Sequence, residues 1–322
     1  LEGSHPEARV AAMELVGHWR VGELKAQCLR VAAQNGADAG LRSAAIGALG
    51  FLGGGDAVQT LESIAGTGPD ILRVSAVAAL LNTNSPKAAS LGAGVLSGKL
   101  NPGLETQVFS AFVEREGGGR LLADALKDAK ISRAQGERLH TAWIATGLVD
   151  PDLSRRIDTL AGVSVQGLQF DGKRVTGLVA AAGKGNSRRG RGLFESGRLG
   201  CMACHKVGGS GGSIGPDLTA LASALPPDRI VIEVLWPRQQ VKEGFSLSRV
   251  TLKDHRVLQG YVQDGRDSKV LLLRDFSTSK IERIPRGDIV RTEAVGSLMP
   301  DTAHTLPDDD LADLLAYLFG LR

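Results

Sequence analysis

Cys201-Met202-Ala203-Cys204-His205 is the stretch on which the reading of this chain turns. Two thiols three positions apart, followed directly by an imidazole, form CxxCH, the attachment signal of a c-type haem. The spacing lets both thiols form thioethers to the two vinyl groups of one porphyrin while the adjacent imidazole reaches the iron from one face. Two other chemistries use paired cysteines. A structural zinc site takes four ligands, usually in two pairs, and the only other cysteine, Cys28, lies in a different region. A thioredoxin-like pair sits at a strand-to-helix junction of an α/β domain, and no such alternation flanks this one.

Working outward, Gly190-Arg191-Gly192-Leu193-Phe194 reads as a short helix with its glycine and aromatic on one face, and Ser187 is a candidate cap for it. After the motif comes a glycine-rich run from Gly208 to Gly215, then Pro216-Asp217-Leu218. Far downstream stands Ser297-Leu298-Met299-Pro300, and the chain closes on a helix opened by Pro307 and the acidic Asp308, Asp309 and Asp310, with Leu311, Leu314, Leu315, Leu318 and Phe319 as its apolar stripe. Tyr317 is expected to cross the earlier helix near Gly190. This order resembles a class I cytochrome c. The resemblance implies that the Pro216 carbonyl accepts from the second nitrogen of His205; the residues themselves show only a Gly-Pro turn.

The sixth iron position decides the chemistry. Of three methionines, Met13 lies among helical repeats and Met202 lies inside the attachment motif, facing the wrong way. Met299, in a loop stiffened by Pro300, is the favoured distal ligand, so that His205 and Met299 are the expected metal ligands. The competing reading makes Met299 a packing residue, with His304 or His255 as ligand or an open site.

The run Gly190–Phe194, CMACHKVGG, IGPDLTALA, Arg229 to Trp236, a β-rich stretch, SLMP and DLLAYL also resembles the haem-binding domain of the Pirellula/Verrucomicrobium type, over residues 186 to 322. In that family the cytochrome c domain often follows helical repeats, with a sugar-dehydrogenase-like β-propeller before both. This chain departs from the pattern at Leu235-Trp236-Pro237-Arg238, where a Leu-Asp-Pro-Ser-like turn is usual, and at Asp254-His255-Arg256, where Asp-Gly-Arg is typical.

Residues 1–160 carry Ala and Leu at helical spacing. Leu41, Ala44, Ala45, Ala48 and Leu49 make one apolar face, and Leu72, Ser75, Ala76, Ala79 and Leu80 make its equivalent. Arg9, Arg42 and Arg73 recur at intervals of 33 and 31, and Gly22-Glu23 precedes Gly55-Asp56 by the same 33. Such self-similarity marks an α-solenoid of HEAT-like repeats, each helix pair burying its face on its neighbours. Degenerate copies follow at 106–114 with 120–128 and at 133–146, with 151–160 as a candidate cap. The recurring arginines are expected to bridge repeats through carboxylates or helix C-termini. No aromatic or charged stripe marks a binding face, so a spacer is favoured over a docking surface. Residues 161–185, punctuated by Gly162, Gly167, Gly172, Gly177, Gly183 and Gly185, read as a linker with one extended piece near Leu178–Ala181.

Between about 243 and 293 the period changes to two, predicting strands at 245–252, 257–262, 270–273, 281–284 and 289–291, with Asp254-His255 at the first turn. A compact cytochrome c has no need of such a sheet, which is therefore an insertion. The fold class expected is mainly α: a HEAT-like solenoid, then a class I-like cytochrome c domain carrying a small β-sheet.

With 322 residues the chain has room for two cores. A net charge of +3 is too weak to argue for nucleic acid. Aromatics make up 4% and glycines number 42, which suits small-residue helix packing. No apolar run is long enough to span a membrane. Haem attachment of this kind takes place outside the cytoplasm, so the protein is expected in the periplasm or otherwise exported, its export signal lying outside this piece. The expected function is electron transfer through one haem c held by Cys201 and Cys204, not enzymatic turnover, with electrons supplied by a dehydrogenase domain fused upstream or by a redox partner protein. The alternatives are a haem enzyme or gas sensor with an open distal site, and an interaction scaffold with a structural haem. The basic cluster Arg188, Arg189 and Arg191 is a candidate steering patch for an acidic partner, or a solvated helix face.

Overall fold

Apolar residues at helical spacing give the first half of the chain ten helices, seen in a computed structural model that describes residues 5–163, 169–196, 199–263, 269–276, 278 and 280–322. The chain divides into two compact units, Leu1–Gly162 and Val163–Arg322.

The first unit pairs α1 (Pro6–His18) with α2 (Lys25–Ala33), α3 (Ala39–Leu52) with α4 (Gly55–Thr67), α5 (Asp70–Leu80) with α6 (Ser85–Ser97), α7 (Leu104–Val113) with α8 (Gly118–Ala125), and α9 (Arg133–Thr146) with α10 (Pro151–Ala161). The first helix of each pair stacks on the first helix of the next, and the second helices stack likewise. The predicted faces are buried: Leu41, Ala45, Leu49, Leu72, Ala76 and Leu80 belong to one core that continues to Phe109, Phe112, Trp143 and Ile157. Small residues let the helices approach. A Cβ on Gly50 would stand 2.7 Å from the Ala79 carbonyl oxygen.

Polar ties repeat at the same period. Lys25 pairs with Asp56, Ser75 Oγ donates to Ser43 Oγ at 3.2 Å, the Asn101 N–H donates to Asp70 at 3.2 Å, and Arg115 donates to Asn82. Two of the three recurrent arginines, Arg42 and Arg73, cap the preceding helix. Arg42 donates twice to the Ala32 carbonyl, at 3.1 and 3.0 Å, and Arg73 donates to the Ala65 carbonyl at 3.3 Å. These carbonyls lie at helix C-termini, where intrahelical donors run out and the negative end of the dipole favours a cation. Cys28 is buried in this core, its Sγ 3.4 Å from the Met13 sulfur.

The second unit begins with a correction. Where a linker and an extended piece near Leu178–Ala181 are predicted, helix α11 (Gly172–Ala182) forms, capped by Asp171 and buried through Val175, Leu178 and Ala182. The apolar positions 175, 178, 179 and 182 follow a helical period that the flanking glycines obscure; Gly167 lies outside the described residues. Then come α12 (Ser187–Glu195), α13 (Cys201–Cys204), a two-stranded ribbon β1 (Lys206–Val207) and β2 (Ser210–Gly211), α14 (Leu221–Ala224) and α15 (Pro227–Leu235). Five antiparallel strands follow, β3 (Leu247–Leu252), β4 (Val257–Gln263), β5 (Val270–Arg274), β6 (Ile281–Pro285) and β7 (Ile289–Gly296), in the order β6-β5-β4-β3-β7. Helix α16 (Asp308–Leu318) closes the chain.

The last strand is longer than predicted, reaching Gly296 by pairing along the whole of β3 with register shifts at both ends. Its alternation is masked because Val290, Arg291 and Thr292 are all exposed on a sheet edge. Val250, Leu252, Leu271, Leu273 and Ile284 make the core of the sheet. Asn186, not Ser187, caps α12 by accepting from the Arg189 N–H at 3.1 Å. Pro307 stands at the cap of α16 and not in its first turn.

Candidate functional site around Cys201–His205

Glycine at position 200 takes φ 70° and opens the single turn that carries both thiols. The glycine-rich run then folds back on that turn. The Gly212 N–H donates to the Met202 carbonyl at 2.9 Å, that of Gly215 to Cys204 at 2.8 Å, and that of Leu218 to Lys206 at 2.8 Å. A side-chain relay closes the loop: the Gly208 N–H donates to Thr219 Oγ1 at 2.9 Å, and the Thr219 hydroxyl donates to Asp217 at 2.5 Å. The Asp217 carboxyl is held below its ordinary range by these Thr219 hydrogen bonds, hydroxyl first and N–H second.

The loop delivers Pro216 to His205. Its carbonyl oxygen lies 2.9 Å from Nδ1, and a carbonyl only accepts, so Nδ1 carries the proton and Nε2 is left with its lone pair. Nε2 has no hydrogen bond among the described residues. Gly215 lies against the ring, where a Cβ would stand 2.6 Å from Cε1. Burial pushes the imidazole pKa down, and the Pro216 hydrogen bond opposes that shift. Burial also raises both thiols, Cys201 to about 11.

Cys201, Met202, Val207, Leu218, Leu221, Leu225 and Met299 are half-buried and pack against one apolar cluster, whose buried members include Phe194, Leu199, Val231 and Leu315. Met299 therefore packs against the same cluster as Cys201, and its N–H donates to Ser297 Oγ at 3.1 Å. His255, an alternative ligand, occupies the exposed β3–β4 turn at φ 64°. His304, the other alternative, places Nε2 2.6 Å from the Leu235 carbonyl and its ring edge-on to Trp236 at 5.5 Å.

Around the cluster, α12 crosses α16. A Cβ on Gly190 would lie 1.8 Å from the Asp313 carbonyl oxygen, so the close approach is to Asp313 and not to Tyr317, which packs one turn on against Phe194 at 5.5 Å. Two of the three arginines proposed as a steering patch are spent internally: Arg189 pairs with the buried Asp313 at 2.8 Å, and Arg191 with Glu195 at 2.8 Å. The sheet reaches the same region through Tyr261, whose hydroxyl lies 3.4 Å from the Ile214 carbonyl and is pushed up to about 12 by burial. Sequence reasoning placed Tyr261 only in a strand and weighed His304 only as an iron ligand, since the partners of both, Ile214 and Leu235, lie on the far side of the insertion in sequence.

Among the described residues no group of three or more His, Cys, Asp or Glu is arranged to hold a metal ion. No helix among the described residues is long and apolar enough to cross a membrane. The family model for HEAT repeats matches residues 1–82, the span from α1 to the turn after α5. No curated protein matches the chain.

Proposed function

We propose that the second unit is a c-type cytochrome that carries one covalently attached haem and passes single electrons between a donor and an acceptor. The observation that carries this reading is the state of His205. Its Nδ1 proton is committed to the Pro216 carbonyl, its ring is confined by Gly215, and its Nε2 remains available as an iron ligand. Cys201 and Cys204 would hold the porphyrin through thioethers. Met299 would supply the sixth ligand. When bound, the haem supplies an iron centre that gains or loses one electron.

The chain's own residues set the conditions. Pro216 orients the imidazole and raises its basicity, the apolar cluster half-buries Cys201 and Met299, and a thioether and an imidazole together would leave no position for a substrate. The solenoid of the first unit is a spacer in this reading. Attachment chemistry of this kind places the working protein in the periplasm or another exported compartment, and a dehydrogenase domain or partner is the donor.

The test is the absorption spectrum of purified protein, oxidised and reduced, beside Met299→Ala, with carbon monoxide added to the reduced form. A sulfur-to-iron charge-transfer band that Met299→Ala abolishes, with no carbon monoxide binding by the wild type, is the expected result. Ready carbon monoxide binding by the wild type, or a spectrum indifferent to Met299, defeats the electron-carrier reading in favour of ligand chemistry.

A further inference from the structure

The inserted sheet leaves the helical part of the unit after α15 and returns at the loop that carries Met299. Residues 235–238 and 299–304 therefore face each other across the neck of the insertion. Inside the returning loop the hydrogen bonds are local: Met299 N–H to Ser297, His304 N–H to the Asp301 carbonyl at 3.2 Å, Leu306 N–H to Ala303 at 3.2 Å, and the Thr305 hydroxyl to Thr302 at 2.7 Å. Bonds of this kind fix the shape of a loop and not its place.

Its place is fixed from across the neck. The His304 ring donates from Nε2 to the Leu235 carbonyl at 2.6 Å, one of the last carbonyls of α15 and so without an intrahelical donor. The same ring stands edge-on to Trp236, which is buried and also packs edge-on to Phe170 at 5.2 Å. Trp236 contributes packing alone, because its indole N–H is buried without a partner. A second, looser tie joins Arg238 to Asp301 at 4.0 Å. All three neck residues, Leu235, Trp236 and Arg238, belong to the four-residue segment in which this chain departs from the family it resembles.

We propose that His304, clasped to the Leu235 carbonyl and to Trp236, is the positioning residue that pins the Met299–Pro300 loop to the end of α15, so that the neck of the insertion presents the Met299 sulfur. The proposal rests on the reading of Met299 as the distal ligand. It explains how a loop at the far end of five inserted strands keeps its register with the Cys201–His205 turn: the clasp shortcuts the sheet, whose own motions then do not reach the sulfur.

The full chain, produced with haem attached, is compared with His304→Leu, which keeps bulk and loses the donor, His304→Gln, which keeps an N–H able to reach the carbonyl, and Arg238→Ala, a substitution at a half-exposed site. Amide hydrogen exchange is read over residues 299–306, with α12 and α16 as internal references, alongside the sulfur-to-iron charge-transfer band. His304→Leu is expected to speed exchange in the loop about fivefold, the worth of one hydrogen bond, to weaken the band and to admit carbon monoxide. His304→Gln restores both readouts, and Arg238→Ala speeds the same amides less. Unchanged loop exchange in both His304→Leu and Arg238→Ala overturns the clasp, as does acceleration spread equally over α12 and α16. A wild type that lacks the band defeats the haem-ligand reading instead, and the exchange ratio still decides whether His304 holds the loop.

Discussion

Gly215→Ala isolates the contact on which the site depends. The added Cβ would stand 2.6 Å from Cε1, 2.8 Å from Nδ1 and 3.2 Å from Nε2 of His205. Ordinary carbon contacts lie near ~3.5–4 Å, so the ring or the loop has to shift by about 1 Å. Gly215 is not at positive φ, so backbone strain plays no part and the effect is steric. Neither side of the contact yields freely: the Gly215 N–H is bonded to the Cys204 carbonyl and the ring to the Pro216 carbonyl, at 2.8 and 2.9 Å. Overpacking of this order costs about 1–3 kcal/mol, and loss of the Nδ1 hydrogen bond adds about 1 kcal/mol. The second unit should therefore lose about 2–4 kcal/mol, seen as a fall of roughly 5–10 °C in its thermal transition. Haem content per chain, read as the pyridine haemochrome, should fall with it because Nδ1 no longer fixes the ring. Gly192→Ala is the control: it lies in α12 with open space around its Cβ position, and the same substitution there should stabilise by about 0.5–1 kcal/mol. A Gly215→Ala protein that melts with the wild type and loads haem normally would refute the argument that Gly215 and Pro216 hold the imidazole.

In the first unit, Arg42→Ala should lower the thermal transition by the equivalent of about 1–2 kcal/mol, since it strips two donors from a helix C-terminus, and Arg42→Lys should recover only part of that because a single ammonium cannot reproduce the fork. Phe109→Ala, which removes a fully buried ring packed edge-on to Trp143 at 5.6 Å, should cost about 3–5 kcal/mol in urea unfolding. The pH dependence of the second unit carries a sign set by His304, whose pKa is lowered mainly by burial. The folded state binds fewer protons than the unfolded chain below the ordinary histidine value of 6.5, so the contribution is full above that pH and is lost as pH falls toward the folded value. Around the ring, Asp301 favours the proton and Arg174 opposes it. Urea midpoints measured from pH 7.5 to 5 should decline less steeply in His304→Gln than in the wild type, and parallel slopes would count against this assignment.

The parts of the structure that could be read from sequence are those whose cause is local. The solenoid was legible because each helix carries its own apolar period and each repeat copies its neighbour, down to arginines that reach Ala32 and Ala65 at equivalent helix ends. The strands were legible where one face is buried, as in β3 and β5. They were misjudged where the alternation has nothing to bury, as along the exposed edge of β7. Helix α11 was misread because glycines were weighed as breakers, although Gly172 and Gly183 stand at its two ends and only Gly177 lies inside, on a position turned to solvent.

The site divides along the same line. Cys201, Cys204 and His205 fall within five residues, so their grouping is visible in the spacing, whereas the Pro216 carbonyl's contact with His205 was implied only by resemblance and is seen in the fold. The residues that position the site are not grouped in this way. Gly190 meets Asp313 and His304 meets Leu235, each pair more than sixty positions apart, and neither pairing has a period or a motif that would announce it. What the sequence did offer was a bulky indole, Trp236, between Leu235 and Pro237 at the end of a helix. A buried indole needs a partner surface, and the structure supplies it in His304 and Phe170. Trp236 and the histidine in the Met299 loop are thus two halves of one packing arrangement. Replacing Trp236 by Asp should therefore be harmful: it would leave the His304 ring unsupported and place a carboxylate in the space of a buried ring. If Trp236→Asp leaves loop exchange over 299–306 and the thermal transition of the second unit unchanged, Trp236 and His304 are independent and the pairing carries no energetic weight.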